Sequence, residues 1–212
     1  MNNDGGMTIG IKDGPTLLGD EADNFWVFGY GSLMWNPGFV HLDARPAVVN
    51  GCHRRFCVYS HRYRGSPARP GLVLGLDRGG SCRGVLFRLS HDQMAAALPY
   101  LEDREMSSAS YQPRLLRVRH AAGQSQALCF VVDRTHPQYA GMLDDEQCAR
   151  IIAHSSGERG SNPDYLENTL EHLRELGIVD RDLVKLSKRV RALIACGDKA
   201  RPLPEYIEDW SI

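Results

Sequence analysis

Three stretches of this chain hold residues whose types and spacing can do chemistry. The first is Phe28-Gly29-Tyr30-Gly31-Ser32-Leu33-Met34-Trp35. It follows a compact apolar run, Phe25-Trp26-Val27-Phe28, of the kind that forms a buried strand. Glycine permits φ > 0 or a close backbone approach. A strand ending in Gly-Tyr-Gly-Ser therefore offers consecutive main-chain N–H groups, the geometry of an anion-binding nest. An ordinary strand–turn with an aromatic plug would use the same residues. Neither G-x-G-x-x-G nor G-x-x-x-x-G-K-[ST] is present, so the loop is not a nucleotide fingerprint.

The second stretch is Tyr100-Leu101-Glu102-Asp103-Arg104-Glu105-Met106. Leu98, Leu101 and Glu105 share one helix face, so Glu105 prolongs an apolar stripe, whereas Glu102 and Asp103 fall elsewhere. Arg104, as the next residue, is not expected to reach Glu105. A carboxylate at the end of such a stripe is either paired structurally or catalytic, and desolvation would raise its pKa as a general base near neutrality requires. The third stretch is basic: Arg54, Arg55, Arg62, Arg64, Arg69, Arg78, Arg83 and Arg88, with Asp77 the lone acid among them. Most of these arginines are expected to pair with acidic C-terminal helices. Arg64, beside Gly65 in an irregular loop, is the one suited to grip a carboxylate bidentately.

Other chemistries find little support. The eight histidines show no H-E-x-x-H and no Cys/His ligand spacing, so no metal site is expected. Ser32 lies outside any G-x-S-x-G elbow. Lys+Arg 25 against Asp+Glu 26 gives a net charge of −1, which excludes a surface built wholly for nucleic acid or anionic membrane. No run approaches the ~18 apolar residues of a spanning helix, and residues 1–23 carry no signal-peptide pattern. The six cysteines are scattered without a C-x-x-C pair, and are expected to be reduced and mostly buried in a cytosolic protein.

The elements that must position these residues follow from pattern. Residues 1–23 read as a mobile tail, 24–196 as one domain, and 197–212 as an extended C-terminal tail. Strands are expected at about 25–30, 48–60, 72–76, 85–89, 111–120 and 126–132, with Asp77-Arg78-Gly79-Gly80 as a hairpin turn. Ser90 and Gln93 form a capping box for a helix reaching about Arg104, kinked at Pro99. Asp144 or Asp145, Asn162 and Asp180 cap three later helices. Leu166, Leu170, Leu173 and Leu176 form one apolar stripe, and Leu183, Leu186, Val190 and Ile194 another. Strands first and helices last is an α+β order, and six short strands that must hide their edges would curl into a small barrel with helices outside.

Taken together, Val27-Phe28-Gly29-Tyr30-Gly31-Ser32-Leu33-Met34-Trp35, Arg54-Arg55-Phe56, Arg64-Gly65 with Pro70-Gly71, and Tyr100-Leu101-x-x-Arg104-Glu105 resemble the ChaC family of γ-glutamylcyclotransferases. Pro163-Asp164-Tyr165-Leu166-Glu167-Asn168-Thr169 resembles its bacterial branch. The resemblance spans roughly residues 25–190. It implies a γ-glutamylcyclotransferase-like small mixed β-barrel with flanking α-helices, and cleavage of glutathione to 5-oxoproline and cysteinylglycine. By position, Glu105 matches the family's catalytic acid/base, and Gly29, Tyr30, Gly31, Ser32, Leu33 and Met34 its substrate loop. Tyr111 would join substrate binding, although the spacer from Glu105 is longer than in animal members. The chain is expected to work as a monomer on a small molecule, without cofactor, nucleic acid or membrane.

The chemistry suits these residues. A γ-glutamyl group carries its own nucleophile, the α-amine, which closes a five-membered ring on the γ-carbonyl. An ordinary glutamate sits about 3.5 units below an α-amino group, so taking its proton is uphill by ~5 kcal/mol; a partly buried Glu105 narrows that gap. The loop N–H groups would hold either the α-carboxylate or the developing oxyanion, and would enforce the folded conformer. Alternatives are another γ-glutamyl amino acid or amine as substrate, a non-catalytic glutathione-binding module, or an arginine-rich nucleic-acid-binding barrel. The last would add exposed aromatic stacking platforms, whereas Phe56, Tyr59, Tyr63 and Phe87 are few and mostly at strand positions.

Overall fold

The computed structural model describes residues 7–8, 24–106 and 109–197. It divides into two compact units, Met1–Arg55 with Leu74–Tyr139 and Phe56–Val73 with Ala140–Ile212. Strands β1 (Met7–Thr8), β2 (Phe25–Gly29), β3 (Asp43–Ser60), β4 (Gly71–Leu89), β5 (Tyr111–His120) and β6 (Gly123–Val132) form one sheet. Its order is β1-β5-β3-β4-β2-β6, and β5 also pairs with β6. That last pairing closes a five-strand ring, with β1 outside it on β5. The barrel is mixed: β2 runs antiparallel to β4, from Phe25↔Leu89 to Gly29↔Val85, and parallel to β6 at Val27↔Leu128. Closure leaves the ring no unpaired edge, and Phe25, Phe28, Leu76, Leu86, Leu89, Leu128 and Phe130 are buried within this unit.

Four corrections to the expectations belong to this first unit. Met7 and Thr8 pair with Leu115 and Arg114, so part of the stretch taken as a mobile tail supplies an edge strand; the rest of residues 1–23 lies outside the described residues. β3 begins at Asp43 rather than Val48 and carries Pro46 at an exposed position. No hairpin turn interrupts β4. Gly79 and Gly80 sit within that strand at φ of 104° and 67°. Two successive left-handed residues are what a tight hairpin needs, but they serve equally for a bulge inside one long strand, so the local signal is shared.

Asp77, placed in that supposed turn, is fully buried. It accepts hydrogen bonds from Arg134 Nε at 2.7 Å, Tyr139 Oη at 3.0 Å and Arg78 N at 2.8 Å, with Arg55 Nη1 at 3.6 Å. Burial works to raise its carboxyl, yet these donors hold it below the usual range.

Helix α1 (His91–Met106) starts in the expected capping box. Gln93 N donates to Ser90 Oγ at 3.3 Å, and Ser90 N to Gln93 Oε1 at 3.0 Å. The helix runs unbroken through Pro99, burying Met94, Ala97 and Leu101.

In the second unit, α2 (Asp145–His154), α3 (Asn162–Glu175) and α4 (Arg181–Ala195) follow, with the two-residue strands β7 (Ser156–Gly157) and β8 (Gly160–Ser161) between α2 and α3. Asp144 and Asp180 cap as expected, but the cap of α3 is Ser161, whose Oγ accepts from Asp164 N. Asn162 is needed elsewhere. Fully buried, it accepts from Leu72 N at 2.7 Å and donates to Leu72 O at 2.8 Å. Leu166, Leu173, Leu183, Leu186 and Val190 are core, whereas Leu176 and Ile194, near helix ends, are exposed. The helix acids mostly serve helix arginines, Glu167 with Arg191 and Glu146 with Arg150, rather than the basic segment as expected. Five of the six cysteines are buried and all six are free thiols. Beyond Gly197 the expected C-terminal tail lies outside the described residues. Among those described, no helix is long and apolar enough to cross a membrane.

Candidate active site

β2 delivers the chain into a tight turn. Neither Gly29 nor Gly31 has a positive φ; Gly29 is needed for space. A Cβ there would lie 3.2 Å from Leu33 Cβ, Met34 N and Phe87 Cε2. That closeness lets Ser32–Met34 coil into one 3₁₀ turn, in which Met34 N donates to Gly31 O and Asn36 N to Ser32 O, both at 2.9 Å. The start of such a turn leaves the N–H groups of Ser32 and Leu33 without acceptors inside it. Tyr30, Leu33 and Met34 are buried, so side chains anchor the loop while its backbone lines it.

Arg54 supports this loop. It is 5 % exposed, in step with Cys52 and Phe56 on the buried face of β3. Its Nε donates to Tyr30 O and its Nη2 to Arg83 O at 2.6 Å, with Met34 Sδ at 3.7 Å. Because C=O and N–H of one peptide point opposite ways, gripping Tyr30 O fixes the direction of the Gly31 N–H. The sequence reading missed this role, although strand alternation with the apolar Phe56 signals an inward arginine.

Glu105 lies one residue before the end of α1, its side chain 15 % exposed. Burial pushes its carboxyl above the ordinary range, and the charge and hydrogen bond of Arg104 oppose that rise. Contrary to expectation, Arg104 does reach its neighbour, with Nε 3.2 Å from Glu105 Oε1. The same guanidinium donates from Nη2 to Ser32 Oγ at 2.8 Å, and from Nη1 to Asn36 O at 2.7 Å and to Tyr100 Oη. Glu105 and the glycine loop thus lie within the span of one side chain. The missed signal was the i, i+4 spacing of Tyr100 and Arg104, which aims the guanidinium along the helix.

Tyr111, at the start of β5, donates from its hydroxyl to Leu74 O at 2.8 Å. Leu74 is also the neighbour of the loop, since a Cβ at Gly31 would meet its Cδ1 at 3.7 Å. Tyr111 and the loop therefore share Leu74 as a wall. Arg64 belongs to the second unit. There its Nη1 donates to Arg159 O at 2.5 Å and Ser161 O at 3.4 Å, and its guanidinium stacks 4.8 Å over the Tyr165 ring. Those contacts give it a structural task, tying the loop after β3 to the start of α3. Among the described residues no group of three or more His, Cys, Asp or Glu is arranged to hold a metal ion.

A closed mixed barrel of five strands with four described helices is the γ-glutamylcyclotransferase fold. The chain is similar in structure to the crystal structure of a glutathione-specific γ-glutamyl cyclotransferase from yeast, with TM-score 0.72 and 22% identity, over 80% of this chain and 96% of that one. The family model described as ChaC-like protein matches residues 25–193, and the chain belongs to that family. It is 35% identical over 171 residues to the glutathione-specific gamma-glutamylcyclotransferase of Escherichia coli strain K12, covering 80% of this chain and 74% of the relative. It is 32% identical over 183 residues to the human glutathione-specific gamma-glutamylcyclotransferase 1, covering 83% and 82%.

Proposed function

We propose that this chain is a glutathione-specific γ-glutamylcyclotransferase that releases 5-oxoproline and cysteinylglycine, with Glu105 as its general acid/base. The observation that carries the proposal is a mostly buried carboxyl with a raised pKa beside a glycine loop. Glutathione binds with its γ-glutamyl end against Gly29, Tyr30, Gly31, Ser32, Leu33 and Met34, and the loop N–H groups donate hydrogen bonds to its negative oxygens. Tyr111 closes the same wall beside Leu74. Held folded, the substrate places its α-amine against the γ-carbonyl carbon.

The α-ammonium first loses a proton to Glu105. The freed lone pair attacks the γ-carbonyl carbon, and the new C–N bond closes the lactam ring. Glu105 then returns the proton to the departing cysteinyl nitrogen as the old C–N bond breaks. One carboxyl serves both transfers because the proton it takes is the proton it gives; the ring nitrogen sheds its second proton to water as the lactam forms, and the released amine takes one up from water. A raised pKa lessens the uphill transfer from the amine, and it keeps the acquired proton on the carboxyl until the departing nitrogen takes it.

The free, mostly buried thiols support a reducing, cytosolic setting, and the chain acts as a monomer on a small molecule without cofactor. Incubating the purified chain with glutathione and measuring 5-oxoproline and cysteinylglycine together tests the reaction. Equal yields of the two are expected. Glutamate release, or no turnover, would overturn it.

A further inference from the structure

We propose that Arg104 is a positioning residue that latches the substrate loop to the catalytic helix and orients the Glu105 carboxylate. The inference rests on the assignment of Glu105 as acid/base. Every polar nitrogen of the Arg104 side chain is engaged: Nε with Glu105 Oε1, Nη1 with Asn36 O and Tyr100 Oη, and Nη2 with Ser32 Oγ. Two of those partners, Ser32 and Asn36, bracket the 3₁₀ turn that ends the glycine loop. The planar fork thus fixes both ends of the turn against the helix that carries Glu105. A lysine, with one nitrogen, cannot span the same set.

The side chain is itself built into place. It is 18 % exposed and lies along the Tyr100 ring, with Cζ 5.7 Å from the centroid. Tyr100 in turn rests against Gly38, which has φ of 73° and where a Cβ would overlap the phenol ring. The turn chemistry after the loop therefore seats the tyrosine, the tyrosine seats the arginine, and the arginine seats the carboxylate.

Engaging Oε1 leaves Oε2 to exchange the proton with substrate. The neutral groups ranged about Arg104 on the loop side are Ser32 Oγ and Asn36 O, with Tyr100 on its own helix; the hydroxyl of Tyr111 on β5 is turned to Leu74 O. The cation acting on the Glu105 carboxyl is Arg104. Removing it raises the carboxyl further, so a larger share of enzyme is protonated at neutrality and unable to take the amine proton.

The test compares Arg104→Met, Arg104→Lys and Glu105→Gln with the unaltered chain, measuring kcat and KM for glutathione from pH 5 to 9. Arg104→Met should move the acidic limb of kcat/KM upward by about one pH unit, the low end of what a lost opposite charge gives. It should also lower kcat at least tenfold. Arg104→Lys keeps the charge and should leave the limb nearly in place, yet raise KM because the turn is no longer held at both ends. If Arg104→Met does not fold, a limb and KM for Arg104→Lys both equal to the parent's overturn the latch. An Arg104→Met enzyme with the parent's limb and kcat/KM overturns it too. Glu105→Gln keeps the two ideas apart. If it is inactive while the Arg104 variants behave as the parent, the latch alone fails. A fully active Glu105→Gln enzyme brings down both.

Discussion

Replacing Arg54 by Met tests how the glycine loop is held. The substitution keeps an unbranched apolar stem in a site that is 5 % exposed and removes the donors to Tyr30 O and Arg83 O. The Tyr30 carbonyl belongs to a buried residue, and leaving it without its donor costs about 1–3 kcal/mol. Arg83 is exposed, so water can replace the lost donor at its carbonyl for much less. Relief from burying a guanidinium works the other way. The net loss is therefore about 1–2 kcal/mol, or roughly 2–8 °C in melting temperature for a chain of this size. The larger effect falls on substrate. A freed Tyr30–Gly31 peptide must be ordered on binding at about 1–2 kcal/mol per residue, equal to roughly 5–30-fold in KM. The charge that acts on the Glu105 carboxyl is that of Arg104, which this substitution leaves in place, so the acidic limb of the rate profile should stay where it is. Thermal melts and steady-state kinetics on glutathione from pH 5 to 9 read all three quantities. A variant with the parent's melting temperature and KM would refute the claim that Arg54 sets the loop.

Gly29→Ala should destabilise the fold by about 1–3 kcal/mol in urea titration, because its Cβ lies 3.2 Å from the Met34 backbone nitrogen as well as from two side chains. Asp77 has a folded pKa below its unfolded one, so its contribution is present above the unfolded pKa, near 4, and is lost as pH falls through the folded value. Asp77→Asn should therefore melt lower than the parent at pH 7, by an amount that shrinks toward pH 3. Glu105 has the opposite sign. Its raised folded pKa means that stability is greatest below the unfolded pKa and falls as pH rises through the folded value. Melting temperatures of Glu105→Gln should accordingly gain on the parent between pH 4 and pH 8.

What the sequence showed and what it hid follow from the range of the interactions. β2, β5, β6 and the capping box of α1 are written locally, in apolar runs and in residues three apart, and they stand where pattern puts them. Glu105 was legible for the same reason, as a carboxylate ending an apolar stripe. Gly79-Gly80 misled because a hairpin and a bulge ask the same of the backbone. Asp77 and Asn162 were opaque. Their partners Arg134 and Leu72 lie 57 and 90 residues away, and nothing in either residue's neighbourhood announces them. Arg104 was discounted on helix geometry, since adjacent residues point about 100° apart. A long side chain bends back across that angle when Ser32, Asn36 and Tyr100 all accept its protons.

The most direct test of the mechanism is the single-turnover rate of Glu105→Gln on glutathione, with Glu102→Gln as the control three residues earlier on another face of α1. The amide keeps the size of the side chain and removes its basicity, and it is no harder to bury than a carboxylate. Glu105→Gln should remain folded and bind glutathione nearly as the parent does. Its rate should fall by at least the ~10²–10⁴-fold typical of losing an acid/base, while Glu102→Gln stays near the parent. A folded Glu105→Gln enzyme that forms 5-oxoproline at the parent's rate would contradict the mechanism.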